Sequence, residues 1–145
     1  MKLDDILQTW TEDSKIDRGD LEAENLRLPT LHSKYWSLLT SERIVLKKYD
    51  SDFKILYLQK FEFLTQGSTK ETNEKGWELP PCGRIIKSDV DRYLEADSQM
   101  IEIGLKISIQ REKVSLLEDI IKTINGRSWI LTNILNVRKF ENGIA

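Results

Sequence analysis

One cysteine, one histidine and three prolines are all that 145 residues hold of those types, and each scarcity closes off a class of protein. Cys82 has no second thiol for an intramolecular disulfide and no thiolate neighbours for a structural zinc site. His32 has no acid or nucleophile at a diagnostic spacing, so it reads as a surface histidine and not as a catalytic base. Gly126-Arg127-Ser128 lacks the glycine spacing and the lysine of a phosphate-cradling loop. Few prolines and only seven glycines suit long uninterrupted helices and argue against a sandwich or barrel of many turns. No run approaches the roughly 18 apolar residues of a membrane span, and no charged-then-apolar leader opens the chain. These absences predict a protein of a reducing cytoplasm that is not an enzyme, holds no metal or cofactor and meets no membrane.

What is present fits a packed helical protein. A hydrophobic share of 39% can fill a core, which argues against wholesale disorder. The length suits one domain, or one core with a helical extension. The net charge of -2 gives no global attraction to nucleic acid, but its distribution is uneven. Asp4, Asp5, Glu12, Asp13, Asp17, Asp20, Glu22 and Glu24 make the first thirty residues acidic, whereas Arg43, Lys47, Lys48, Lys54 and Lys60 dominate residues 43–60. A polyanion would have to meet that middle segment.

Leu3, Ile6, Leu7 and Trp10 fall at helical spacing and predict a short amphipathic helix, interrupted by the polar stretch from Thr11 to Gly19. Pro29 sits where a first helical turn tolerates proline. From there to Leu64 nothing breaks a helix, and Tyr35, Leu39, Leu46, Tyr49, Phe53, Leu56 and Phe63 form an apolar row. At about 1.5 Å per residue such a helix would run roughly 50 Å, long enough to call for a partner chain over part of that row. Gln66-Gly67 ends it, and a charged loop reaches Gly76. Ser88 and Asp97 are then expected to cap two further helices.

The strongest periodicity follows. Met100, Ile103, Ile107, Gln110, Val114, Leu117, Ile121 and Ile124 alternate at spacings of three and four, the pattern of a coiled-coil seam with one polar member. Ile101, Leu105, Ile109, Leu116 and Ile120 add a second stripe, which points to a bundle. Asn125-Gly126 is a helix stop, and a last helix over about 128–141 presents Trp129, Leu131, Ile134, Leu135, Val137 and Phe140. The two helices are expected to form a hairpin.

On the long helix Arg43, Lys47 and Lys54 share one side, with Tyr57 and Phe61 continuing along it. Cations that pair with phosphate beside rings that stack on unpaired bases are what single-stranded nucleic acid needs. The same stripe also reads as a solvated basic face whose rings simply belong to the core. Lys60 projects elsewhere and Asp50 interrupts the row.

Five segments carry a resemblance: Leu-Asp-Asp-Ile-Leu-Gln-Thr-Trp at 3–10, Leu-Arg-Leu-Pro-Thr-Leu-His-Ser-Lys-Tyr at 26–35, Lys-Ser-Asp-Val-Asp-Arg-Tyr-Leu-Glu-Ala-Asp at 87–97, Leu-Glu-Asp-Ile-Ile-Lys-Thr-Ile-Asn-Gly-Arg-Ser-Trp at 117–129, and Lys-Phe-Glu-Asn-Gly at 139–143. In that order they resemble the T4-type phage recombination mediator family (UvsY), nearly end to end. The resemblance implies a ring-like homo-oligomer that binds single-stranded DNA. It also implies a role in loading a phage recombinase onto DNA covered by single-strand-binding protein, in the cytoplasm of an infected bacterial host. The family's basic DNA-binding positions correspond to the segment from Lys54 to Phe63. Lys60 matches one of them and the other falls on Leu58, which shifts attention to Lys47, Lys48 and Lys54.

Together these readings predict an all-α chain with a long helix and a C-terminal helical hairpin. Residues 1–70 would bind DNA through Arg43, Lys47, Lys48, Lys54, Tyr57, Lys60 and Phe61. Residues 71–145 would oligomerise through Ile103, Ile107, Val114, Leu117, Ile121, Ile124, Trp129 and Ile134. The rival reading is a structural helical adaptor that binds proteins and no nucleic acid.

Overall fold

The computed structural model describes residues 1–143, and helix is the only regular structure among them. The elements are α1 (Leu3–Asp13), α2 (Leu21–Gln66), α3 (Lys70–Glu74), a 3₁₀ turn (Lys87–Asp89), α4 (Val90–Glu95), α5 (Ser98–Asn125) and α6 (Arg127–Glu141). No helix among the described residues is long and apolar enough to cross a membrane.

Helix α2 begins earlier than Pro29 suggests. Asp20 caps it by accepting the Ala23 N–H at 3.0 Å, and Pro29 lies inside the helix. An interior proline leaves the carbonyl four residues back without its donor. Here that residue, Asn25, and Pro29 itself are both exposed, so the carbonyl is not stranded in a core. Arg27 secures the added turns by donating to the Asp13 and Lys15 carbonyls at 3.2 and 3.1 Å and to Glu24 at 2.9 Å. The far end stops where expected: Gly67 takes a φ of 97° and its N–H reaches the Phe63 carbonyl at 3.0 Å.

The charged loop after α2 contains α3, whose cap is Thr69 paired with Thr72 in a capping box. Ser88 does not cap a helix. It falls inside the 3₁₀ turn, and neither that turn nor α4 has a side-chain cap. Burial of Val90 and Leu94 draws this segment in instead. Asp97 does cap α5, accepting from the Gln99 and Met100 N–H groups at 3.1 Å each.

The expected C-terminal hairpin is replaced by a bend. Gly126 is the only residue between α5 and α6, and its φ of −84° and ψ of −6° are right-handed, not the left-handed values of a helix stop. Its N–H closes α5 on the Lys122 carbonyl at 3.1 Å and its carbonyl opens α6 by accepting from Ile130 at 3.3 Å, so the helical ladder is interrupted at this one residue. One residue in this conformation cannot reverse a chain.

The chain packs as two compact units, residues 1–44 with 110–145 and residues 45–109, a division that cuts through α2 and α5 and does not follow the expected boundary at residue 70. Each long helix supplies a half to each unit. In the first unit Ile6, Leu31, Tyr35, Leu39, Leu117, Ile120, Ile124 and Leu131 are buried. Trp10 meets Tyr35 edge-on at 5.4 Å. Arg127, itself buried, donates to the Ser14 carbonyl at 2.6 Å and lies over the Trp10 ring at 5.6 Å. In the second unit Phe63, Leu64, Ile85, Val90, Leu94 and Met100 form the core, with Phe53, Leu56, Tyr57, Phe61, Trp77 and Leu79 packed around it.

Gln110, the polar member of the seam, is buried and donates to the Glu42 carbonyl at 2.8 Å and to the Glu42 carboxylate. Lys113 stands 3.8 Å from the same carboxylate. Replacing Gln110 by leucine should therefore destabilise the protein by about 1–3 kcal/mol, because buried acceptors on Glu42 lose their donor. A Gln110→Leu variant with an unchanged or higher urea midpoint would refute this.

Asp13 offers a second test. Burial raises its carboxyl pKa, but hydrogen bonds from Lys34 (2.6 Å) and Tyr35 (2.8 Å), with the charges of Lys34 and Arg27, outweigh this and hold it below the ordinary 3.8. A depressed folded-state pKa contributes stability above the unfolded value that is lost as pH falls through the folded one. Asp13→Asn should flatten the decline in unfolding free energy below about pH 4; an unaltered acid limb would count against it.

Candidate nucleic-acid interface

Helix α2 decides where the sequence-predicted basic residues stand. In the second unit Lys47, Lys48 and Lys54 are all exposed, beside the exposed Ile55 and Leu58. They sit on the outer arc of the helix because Phe53, Leu56 and Phe63 turn the opposite arc toward the core. Ammonium groups on flexible stems along one rod can each pair with phosphate without reading a base.

Arg43 belongs to the first unit and is already engaged. It pairs with Glu118 at 3.0 Å and lies over the Trp36 ring at 5.8 Å. Trp36 is 49% exposed and stacks on His32 with ring centroids 6.1 Å apart and planes 8° from parallel. This cation–ring ladder escaped sequence reading, although the steps of four and seven from His32 to Trp36 to Arg43 were there to be counted.

Tyr57 and Phe61 do stack on each other, at 6.3 Å and 26°. Both are half-buried against the core of the second unit. Tyr57 donates its hydroxyl to Asp91 at 2.8 Å, a hydrogen bond that raises its pKa above 10.

Lys60 departs furthest from expectation. Its side chain is only 9% exposed, its ammonium pairs with Asp97 at 3.2 Å, and it sits 4.0 Å from the centroid of Trp77. A cation placed this way is held by a carboxylate and an aromatic face, and it is not displayed on the surface as a DNA contact would be.

The residues expected to join copies divide in the same manner. Ile107, Val114, Leu117, Ile121 and Ile124 are buried within this chain, so the seam serves its own core and is not open to a partner helix. Ile103 and Ile134 are half-buried, and Trp129 is 71% exposed. The apolar side chains left facing outward are Ile101, Leu105 and Ile109 on α5, and Ile130, Leu135, Val137 and Phe140 on α6.

A family model described as "Recombination, repair and ssDNA binding protein UvsY" matches residues 9–144. The chain belongs to the UvsY family. Its fold is that of the bacteriophage T4 recombination mediator protein UvsY. Against that protein's lattice type II crystal structure the TM-score is 0.79 at 20% identity, over 98% of each chain. The lattice type I structure gives 0.80 at 18% identity, over 94% of this chain and 98% of that one. The lattice type IV structure gives 0.77 at 16% identity, over 97% and 99%. No curated protein matches the sequence at a significant level. Among the described residues no group of histidine, cysteine or acidic side chains could hold a metal ion.

Asp97 both caps α5 and partners Lys60, and two substitutions separate these duties. Asp97→Asn keeps a cap but loses the charge; Asp97→Ala loses both, costing about 1 kcal/mol for the cap and about 3 kcal/mol for a stranded buried ammonium. Urea unfolding should order the stabilities as wild type, then Asn, then Ala. Equal midpoints for all three would show that the pair contributes nothing.

Proposed function

We propose that this chain is a recombination mediator: it binds single-stranded DNA and promotes the loading of a phage recombinase onto DNA covered by single-strand-binding protein. The observation that carries this reading is the exposed lysine row of Lys47, Lys48 and Lys54 on α2 of a chain that belongs to the UvsY family. Lysines spaced along a helix track a phosphate backbone and are indifferent to sequence, as a protein acting on any exposed strand requires.

The chain works as a ring-like homo-oligomer in this reading. Outward apolar side chains on α5 and α6 supply surface for contact between copies, and repetition of a modest basic patch around a ring turns weak contacts into firm binding. The host cytoplasm is where such a protein would act. A helical adaptor without affinity for nucleic acid is the competing reading, and it leaves the lysine row without a purpose.

Lys47→Ala combined with Lys54→Ala discriminates between them. Both side chains are exposed, so the fold and the assembled mass in sedimentation should not change. Affinity for oligothymidylate should fall, and the slope of log affinity against log salt should flatten by about 0.7 for each phosphate no longer neutralised. Unchanged affinity and slope would overturn the placement of the DNA on this row. Lys60 is unsuited to the same test, because removing a buried, paired ammonium confounds binding with stability.

A further inference from the structure

The second unit contains a hollow of about 930 Å³, lined among others by Lys60, Lys75, Trp77, Arg92, Tyr93 and Asp97. Its size lies within the range of about 300–1,000 Å³ found for small-molecule sites. Trp77 forms one wall. Its ring meets Phe63 edge-on at 5.6 Å and carries the Lys60 ammonium at 4.0 Å and the Lys75 ammonium at 4.9 Å from its centroid. Its indole N–H is buried without an acceptor in the chain.

The charges divide by depth. Lys60 is neutralised within the protein by Asp97 at 3.2 Å. Lys75 and Arg92 are exposed, and Arg92 holds only a surface pair with Asp89 at 3.3 Å, of the kind worth little in water. With Glu78 the one other acid on the lining, the mouth keeps an excess of positive charge. The exposed ring of Tyr93 completes the rim.

We infer that this hollow receives one nucleotide of a single strand. The phosphate pairs with Lys75 and Arg92, and the base lies against Tyr93 and against the Trp77 ring that Lys75 leaves as its ammonium turns to the phosphate. Rings supply stacking that any base can use, and the two cations meet the backbone where it passes the mouth. A paired base stays stacked in its duplex and cannot enter, so the hollow would select unpaired strands. The inference rests on the reading that the chain binds single-stranded DNA, and it assigns that binding a discrete pocket, lined from the core-facing arc of α2.

Photo-crosslinking of the full chain to oligothymidylate carrying 5-iodouracil tests it, with anisotropy of a labelled oligonucleotide run in parallel. Adducts are expected on Trp77 or Tyr93. Lys75→Ala with Arg92→Ala should reduce their yield and flatten the salt slope by about 0.7 per lost phosphate contact. Tyr93→Ala, at an exposed position, should lower affinity about tenfold with the slope unchanged. Adducts confined to peptides outside residues 75–99, while anisotropy reports binding, would overturn the pocket and leave the mediator reading standing. Absence of any binding in anisotropy would overturn both.

Discussion

A charge taken out of water must find its partner inside the protein, and both units of this chain are organised by that constraint. In the first, the buried Glu42 carboxylate is met by Gln110 and Lys113, and the buried Arg127 by the Ser14 carbonyl and the Trp10 face. In the second, the Lys60 ammonium is met by Asp97 and Trp77. Each of these contacts joins segments far apart in sequence. Apolar side chains of similar size could slide past one another; a stranded charge would cost several kcal/mol, so these pairs pin the register of the helices that carry them.

The same constraint separates cations that hold the protein together from cations free to act on a ligand. Lys60, Arg27 and Arg127 are absorbed by their own chain. Lys47, Lys48 and Lys54 stand on the outer arc of α2 with their stems in water. An acidic protein can therefore present a positive stripe, because its negative charge lies chiefly in other segments. The exposed isoleucines and leucines beside that stripe and along α5 show the complementary feature, apolar surface that a lone chain leaves uncovered.

Much of this is legible from residue order. Helical spacing locates α1, the end of α2 at Gly67, the cap at Asp97 and the apolar faces of α5 and α6, because periodicity and capping are local. Family kinship is legible as well, from five segments in order. What residue order hides depends on neighbours remote in sequence. Helix α2 runs back past Pro29, and Arg27 ties those added turns to residues 13 and 15. Gly126 bends the chain instead of reversing it while Arg127 is drawn to Ser14. A seam with one glutamine looks like a surface for a partner helix until Glu42 proves to be the glutamine's partner within the chain. Lys60 has the look of a displayed cation, and nothing local announces Asp97 and Trp77 around it. The hollow is invisible for the same reason: its lining comes from α2, the loop after α3, α4 and the turn that leads from it into α5.

The division into units also sets an order of events during synthesis. Residues 45–109 are contiguous, so the second unit can close as soon as its own stretch has left the ribosome. The first unit joins residues 1–44 to residues 110–145. Until the latter are made, Leu31, Tyr35 and Leu39 have no completed core to enter. Contacts of such wide sequence separation form late and slowly, and a nascent chain would expose its first apolar helix face for most of its time on the ribosome.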